Sequence, residues 1–575
     1  MRRAGAIACA ALAAALALPA AAWAHAALLH TVPSPSGTVN TPPPNVQLTY
    51  SEAVEPRFAI VSVTDAAGHQ QTSGSPERSP SNADTLVIPL KKLSEGWYLV
   101  WWRVISVDGH PVRGAFTFAV GPNPGPAPQF VIPSISETAA TPRLLVARWL
   151  SFLSVMAAIG LFVLRMATAR PLIRRVEGVR LRAVSIAFMI VSAVALVVVP
   201  IYAYIATAQF ALRSLSKFGA IVPLLRASPF GRGYLDLELV FALFVVAALV
   251  ALWVDRPERG QRSVAEILSL GGALLAAGAV LLIPGIAGHA AQTSPRGWSL
   301  LFDWSHLSAG SVWIGGLIGL MVLWMSLPAA RRVAGLVVTV PRFSNVAFVS
   351  VNVLIASGVA AAIVHLPTLS SLWQTSYGKA ILWKVGLLLV AMMIAAVNLL
   401  YTRPRLIAAG GDHPEVGPPT ATMLRRLVGA EILIVTGIVF AAAVLSSLPP
   451  PPKALAGLVA PVHVGPGPVA QTVTRDGYTA EVSVTPNRAA QSNDFVISLT
   501  KDGKPVSGAN VTTTFAMLDM EMGEQSYAFK ETSPGVYSHS APSLVMVGHW
   551  GITFNVEPPG GGAPFTVTLV DRAGG

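Results

Sequence analysis

Residues 183–206 read AVSIAFMIVSAVALVVVPIYAYIA, twenty-four positions without one charged side chain. A helix rises ~1.5 Å per residue, so such a run crosses the ~30 Å hydrocarbon core of a bilayer. Seven more apolar stretches resemble it, near 144–164, 235–254, 264–287, 304–326, 344–364, 379–400 and 427–447. Any one of them could be a buried helix of a soluble protein, but eight in series point to a polytopic α-helical membrane protein. Composition agrees. Of 575 residues, 12% are charged and 53% hydrophobic, and the mean hydropathy is +0.59. An average soluble domain is about 25% charged. A coiled coil or a disordered chain is excluded.

The flanks differ in character. Arg2 and Arg3 precede an apolar run, Ala4–Ala22, and Ala22-Trp23-Ala24 is a small–x–small cleavage pattern. Residues 1–24 therefore read as a signal peptide cut before His25. The alternative, an uncleaved anchor, asks a rather short run to span the membrane. The only cysteine, Cys9, lies inside that run and leaves with it. A disulfide framework and a Cys-ligated zinc or iron–sulfur site are thus excluded. Residues 25–121 alternate strand-like runs (Val46–Tyr50, Phe58–Val63, Thr85–Pro89, Trp97–Val104, Ala115–Val120) with Pro, Gly and Ser clusters, the pattern of a small all-β domain. Residues 122–143 are a linker that opens Pro/Gly-rich, and 144–448 hold the eight helices. Pro449–Pro452 ends the last one, 449–470 form a second linker, and 471–575 return to strand-like runs that fit a β-sandwich.

Charge then orients the chain. The net charge is +12, from 40 basic and 28 acidic residues. With a cleaved signal, residues 25–143 lie outside. The loops then expected in the cytoplasm carry sixteen arginines: 165, 170, 174, 175, 180, 182, 256, 259, 262, 331, 332, 342, 403, 405, 425 and 426. The external loops carry five basic residues: Arg213, Lys217, Arg226, Arg232 and Arg296. That bias has the sign of the positive-inside rule. An even helix count returns the C-terminal domain to the outside. The basic charge is an orientation device, and nucleic acid is not an expected partner. No GxxxxGK[ST] loop is present, so no nucleotide is expected either.

An N-terminal histidine offers its α-amine and imidazole as a chelating pair. His25 would become that residue, and Asp108-Gly109-His110 stands at the end of a long strand-like run. Amine and imidazole nitrogens with a carboxylate suit tetragonal copper(II), with affinity that falls on acidification. A DGH triplet is by itself more often a turn. The surrounding pattern is more specific: His25…Pro33-Ser34-Pro35-Ser36-Gly37, Leu48-Thr49-Tyr50-Ser51-Glu52, and Trp102-Arg103-Val104-Ile105-Ser106-Val107-Asp108-Gly109-His110-Pro111-Val112-Arg113-Gly114. It resembles the periplasmic copper carrier family CopC. The resemblance implies copper(II) bound by His25, Asp108 and His110. Residues 25–121 contain no methionine, so the Met-rich copper(I) loop of some family members has no counterpart. His30 and His69 read as surface residues.

Ionisable groups inside a membrane are costly and so are functional candidates by default. His289 is expected to end helix 4, His306 to begin helix 5 and His365 to end helix 6, all on the external side near the level of Asp303. The segments Gly288-His289-Ala290, Asp303-Trp304-Ser305-His306-Leu307, Trp313-Ile314-Gly315-Gly316, Arg342-Phe343-Ser344, Tyr377-Gly378, Leu382…Lys384, Asn398, and Glu431 before Leu448-Pro449-Pro450 resemble the CopD membrane family across all eight helices. This implies a copper-handling permease with His289 and His306 as copper contacts. A CopC domain fused ahead of CopD resembles the YcnJ type of copper-uptake protein. Met321 and Met325, i and i+4 on the helix of His306, are the best methionine candidates for a path across, although core packing is the commoner use of Met. Lys384 and Glu431 are expected at different depths and unpaired.

Residues 471–570 resemble the YtkA-like family of small β-domains found beside copper proteins. Met517, Met520, Met522, Met546 and His549 form a thioether-rich group suited to copper(I); a Met-filled core is the competing reading. His539 has no assigned role. The expected whole is a bacterial inner-membrane copper-uptake protein with both β-domains extracytoplasmic, able to exchange copper with periplasmic chaperones. It is not expected to be an enzyme, and no reductase motif is evident. Two alternatives stand beside it: a haem-binding redox protein using His289, His306 and His365, and a copper-resistance or sensing protein that moves no ion.

Overall fold

The computed structural model describes residues 21–22, 28–125, 128, 141–448 and 467–573, less 35–37, 51–52, 106–110, 289, 291–292, 367–368, 370, 375, 412, 476, 490–491, 518–524 and 545–547. The signal-peptide segment lies almost wholly outside them. Two compact units result, one of helices and one holding both β-rich ends.

Among the described residues, eight helices are long and apolar enough to cross a membrane. They are α1 (Pro142–Val163), α2 (Arg182–Phe210), α3 (Pro229–Val254), α4 (Val264–Ile286), α5 (Arg296–Ser326), α6 (Ala329–His365), α7 (Ser376–Val397) and α8 (Gly417–Leu445). Their starts follow local chemistry. Thr141 Oγ1 accepts the Leu144 amide with Pro142 in the first turn. Ser228 accepts the Gly231 amide ahead of α3, and Ser263 and Glu266 form a reciprocal capping box on α4. Two helices continue through π-helical turns, α1 at Leu164–Thr168 and α7 at Asn398–Thr402. The apolar runs understated α5 and α6. α5 starts at Arg296 and α6 at Ala329, because hydropathy detects only the most apolar stretch, whereas each helix begins right after a non-helical N-cap, Pro295 or Pro328, whose carbonyl accepts an amide of the first turn.

α1 and α5 are the most buried of the eight, and two glycines bring them together. A Cβ on Gly160 would lie 2.0 Å from the Ser311 carbonyl oxygen, and one on Gly315 2.4 Å from the Gly160 backbone. Small residues at a crossing let helix backbones touch, the packing that holds membrane helices together where lipid supplies no hydrophobic drive.

The N-terminal region forms β1 (Leu28–Val32), β2 (Thr38–Val39), β3 (Asn45–Tyr50), β4 (Ile60–Asp65), β5 (Glu77–Arg78), β6 (Thr85–Pro89), β7 (Gly96–Ile105) and β8 (Pro111–Val120). They make two four-stranded sheets, β1-β3-β6-β5 and β2-β8-β7-β4. Phe58, read as the start of a strand, instead closes a 3-10 turn led by Pro56, which has no amide for a ladder. The core centres on Trp102, set edge-on to Tyr50 at 5.6 Å, with Gly114 making room for the indole.

The C-terminal region forms β9 (Val469–Arg475), β10 (Tyr478–Thr485), β11 (Asn493–Lys501), β12 (Lys504–Pro505), β13 (Asn510–Met517), β14 (Gln525–Ala528), β15 (Lys530–Ser533), β16 (Val536–Ala541), β17 (Gly548–Glu557) and β18 (Phe565–Ala573). One sheet runs β9-β10-β11-β16-β15 with β12 on β11; the other runs β14-β13-β17-β18. β9 and β16 lie outside the strand-like runs read from the sequence, and cross-strand pairing with β10 and β11 completes them. His539 on β16 stacks on Tyr527 at 4.8 Å and leans on Phe529 at 5.7 Å, with Nε2 buried and unpartnered. Burial holds its imidazole below the ordinary histidine range. The folded state therefore binds that proton less well than the unfolded chain. This contribution to stability is full above the unfolded value of ~6.5 and is lost as the pH falls below it. Hydrogen exchange of β16 amides in the full chain, corrected for intrinsic rates, should speed up between pH 7 and 5, and His539→Phe should abolish that dependence. Equal protection in both proteins across the range refutes the assignment.

Candidate functional site

The polar centre of the helical unit is His306. It sits ten residues into α5, not at its start. Its Nδ1 lies 3.1 Å from the Leu354 carbonyl and 3.2 Å from Ser357 Oγ, both on α6. Its Nε2 faces Lys384 Nζ of α7 at 3.4 Å. Asp303, one turn earlier on α5, supplies the opposite charge to Lys384, and its Oδ2 rests against Gly285 of α4. Gly358 of α6 lies flat against the imidazole, where a Cβ would come within 3.1 Å of Cε1. Residues of four helices thus meet around one half-buried histidine, one ammonium and one carboxylate.

This hydrogen bonding sets the imidazole's chemistry. With Nδ1–H donating to Leu354, the Nε2 lone pair points at Lys384. A metal ion can reach that lone pair only when the ammonium turns away, and Asp303 is the anion on hand to receive it. Sequence reasoning kept Lys384 apart from Glu431, which is how they lie, and missed that Lys384 meets His306. A signal existed: intramembrane charges need partners. Only the fold names the partner, with the Lys384 side chain reaching from α7 to the imidazole on α5.

Below His306, α5 presents Gly310, Trp313, Leu317 and Met321 at helical spacing on one face. The Met156 methyl of α1 packs against Gly310, and the Met321 methyl lies 3.6 Å from a Cβ position on Gly429 of α8. Trp313 Nε1 donates to Glu431 Oε1 at 3.0 Å, and Asn398 Nδ2 faces Oε2 at 3.4 Å. Met325 does not continue this face. It is 70% exposed, one residue before α5 ends at Ser326.

The other expected ligands are less gathered. His289 lies outside the described residues. His365 closes α6 with Nδ1 2.8 Å from the Ala361 carbonyl. It stands eight residues beyond Ser357, about 12 Å along the helix, and does not join His306. His25, Asp108 and His110 also lie outside the described residues. The chain places the last two in the connection between β7 and β8, whose ends pair at Ile105 and Pro111. Met517 ends β13 opposite Trp550 of β17, and His549 is the neighbouring residue on β17. The connection carrying Met520 and Met522 leaves β13 at that end, and the one carrying Met546 enters β17 there; all three lie outside the described residues. Among the described residues, no group of three His, Cys, Asp or Glu side chains is arranged to hold a metal ion.

A bundle of eight membrane-length helices with a β-domain at either end of the sequence defines a multi-pass membrane protein. Three family models match it: CopC domain over residues 28–121, Copper resistance protein D over 337–445, and YtkA-like over 472–555. The chain belongs to the copper-resistance proteins in which a CopC domain is fused to a CopD domain, here followed by a YtkA-like domain. It is 26% identical over 545 residues to the copper transport protein CutJ of Bacillus subtilis, covering 93% of both chains. The N-terminal domain is 35% identical to protein YobA of Escherichia coli, over 17% of this chain and 80% of that one. It is 32% identical to copper resistance protein C of Xanthomonas campestris, over 18% of this chain and 84% of that one. The Copper resistance protein D model covers the end of the helical region only, so it contains Lys384, Asn398 and Glu431, while Asp303 and His306 precede it.

Proposed function

We propose that this chain carries copper into the cell. The N-terminal domain captures copper(II) outside through the His25 α-amine and imidazole, His110 and Asp108. The ion passes to the helical bundle, where His289 and His306 receive it, and moves inward along the α5 face. Both β-domains are extracytoplasmic in a bacterial inner membrane, and Met517, Met520, Met522, Met546 and His549 form a copper(I) site on the C-terminal one. The observation that carries the reading is the His306 centre: an intramembrane histidine bonded to α6, its Nε2 facing the Lys384 ammonium, with Met156 and Met321 along the α5 face beneath it. The likeness to a copper transport protein over nearly the whole chain supports copper as the cargo.

Radiocopper uptake into cells tests it. His306→Ala should lower uptake by an order of magnitude or more, since loss of even an outer-shell partner commonly costs about 10–100-fold in metal affinity. One alanine inserted before His25 removes the α-amine from the chelate and should raise the copper concentration needed for half-maximal uptake. Unchanged uptake in His306→Ala sinks the transport reading, and an unchanged half-maximal concentration in the extended chain sinks the capture site.

A further inference from the structure

We propose that Glu431 is a proton-binding site of the membrane domain, the group that couples ion movement through the bundle to protons. The coupling half of this inference rests on the transport reading; the proton site itself does not.

Glu431 of α8 is 3% exposed. Three other carboxylates of the helical unit meet cations: Asp255 and Glu266 pair with Arg165 and Arg170, and Asp303 acts on Lys384; Glu238 of α3 meets none, but it is only partly buried. Glu431 has only neutral partners, the Trp313 indole and the Asn398 amide. Charged groups on the elements packed against α8 are engaged elsewhere. Arg148 of α1 donates to Tyr202 and Ser447, Lys384 of α7 faces His306, Arg342 of α6 donates to the Val338 carbonyl, and Arg425 of α8 itself lies over Trp324 of α5. An anion sealed away from water without a counter-charge costs several kcal/mol. A single positive charge removes that cost, and the smallest is a proton.

The surroundings suit an acid that exchanges its proton. Trp313 donates to Oε1, which leaves Oε2 to carry the hydrogen. Oε2 faces Asn398, whose amide oxygen is buried and unpartnered as it stands. A half-turn of that amide exchanges its oxygen and nitrogen. The NH2 then serves the carboxylate and the carbonyl serves the acid, so both protonation states find a partner. Asn398 opens the π-helical turn of α7, and such turns recur at functional sites. One turn further, Thr402 Oγ1 is also buried and unpartnered. The step balances: the O–H bond of Glu431 breaks, its proton leaves for water, and one positive charge of the transported ion enters the bundle in its place.

Infrared spectroscopy of the purified full chain at pH 7 tests the site, and proteoliposomes with an internal pH dye, given copper(II), test the coupling. The wild type should show a protonated-carboxyl C=O band that Glu431→Gln lacks and Glu431→Asp retains, shifted; the Asp variant separates loss of the acid from misfolding. Copper(II) uptake should drive a pH change in the wild type and none in Glu431→Gln. Identical carboxyl bands in wild type and Glu431→Gln overturn the proton site. Uptake with an undiminished pH change in Glu431→Gln overturns the coupling. A band that behaves as expected in a protein that moves no copper supports the proton site and removes the transport reading instead.

Discussion

Asp255→Ala is expected to be among the most destabilising single substitutions in the chain. Asp255 follows the end of α3, fully buried, and both its oxygens are used: Oδ2 by Arg165 Nη1 at 3.0 Å and Oδ1 by Arg170 Nε at 2.8 Å. Arg170 also reaches Glu266 Oε1 at 3.1 Å and the carbonyls of Arg256 and Arg259. One network thus ties the end of α1 to the α3–α4 connection. The alanine variant leaves two buried guanidinium groups facing one remaining carboxylate. Removing one member of a buried ion pair costs ~3–5 kcal/mol, chiefly because the survivor stays desolvated. Thermal unfolding of the detergent-solubilised protein should show a large drop in midpoint and poor recovery of folded material, with Asp255→Asn intermediate. A change below about 1 kcal/mol would mean that water reaches the arginines.

Gly315→Leu should be comparably damaging by a different route. At the α1–α5 crossing the Cβ position of Gly315 is 2.4 Å from the Gly160 backbone and 2.5 Å from the Leu161 amide nitrogen. Backbone cannot swing aside as a side chain can, so the two central helices must separate. Overpacking costs typically ~1–3 kcal/mol where side chains can yield, and here about 3 kcal/mol or more is expected. Because α5 carries His306 and Trp313, the shift should also lower copper uptake. Gly271→Ala on α4 is the matched control: nothing lies within 4 Å of its Cβ position. There the change should be slightly favourable, by up to ~1 kcal/mol of helix propensity. Equal stability of the two variants would disprove the close crossing.

These two substitutions mark where sequence reasoning stopped. Arg165 and Arg170 read as orientation charges in a cytoplasmic loop, yet both are buried against Asp255. Charge counting sees the sign of a residue and not its partner ninety positions away. His306 was legible as a costly intramembrane histidine, but its depth was not. The segment Arg296–Asp303 is mildly polar, and hydropathy placed the helix start after it, while the helix begins at Arg296. Met325 looked equivalent to Met321 because helical spacing relates residues on one helix and says nothing about which face meets lipid. The strand of His539 was invisible because VYSHSA becomes a strand only by pairing between β11 and β15.

The sequence by itself determined the class: eight membrane-spanning helices between two β-domains, with the motifs that tie them to copper-resistance proteins. It could do so because apolar run length, strand alternation and short motifs are local properties of the chain. Tertiary structure alone decided which groups meet. It set Lys384 against His306, Glu431 against Trp313 and Asn398, and Gly160 against Gly315. In a bilayer every apolar helix face is equally content with lipid, so partner choice falls to shape and to the few polar groups that must find one another.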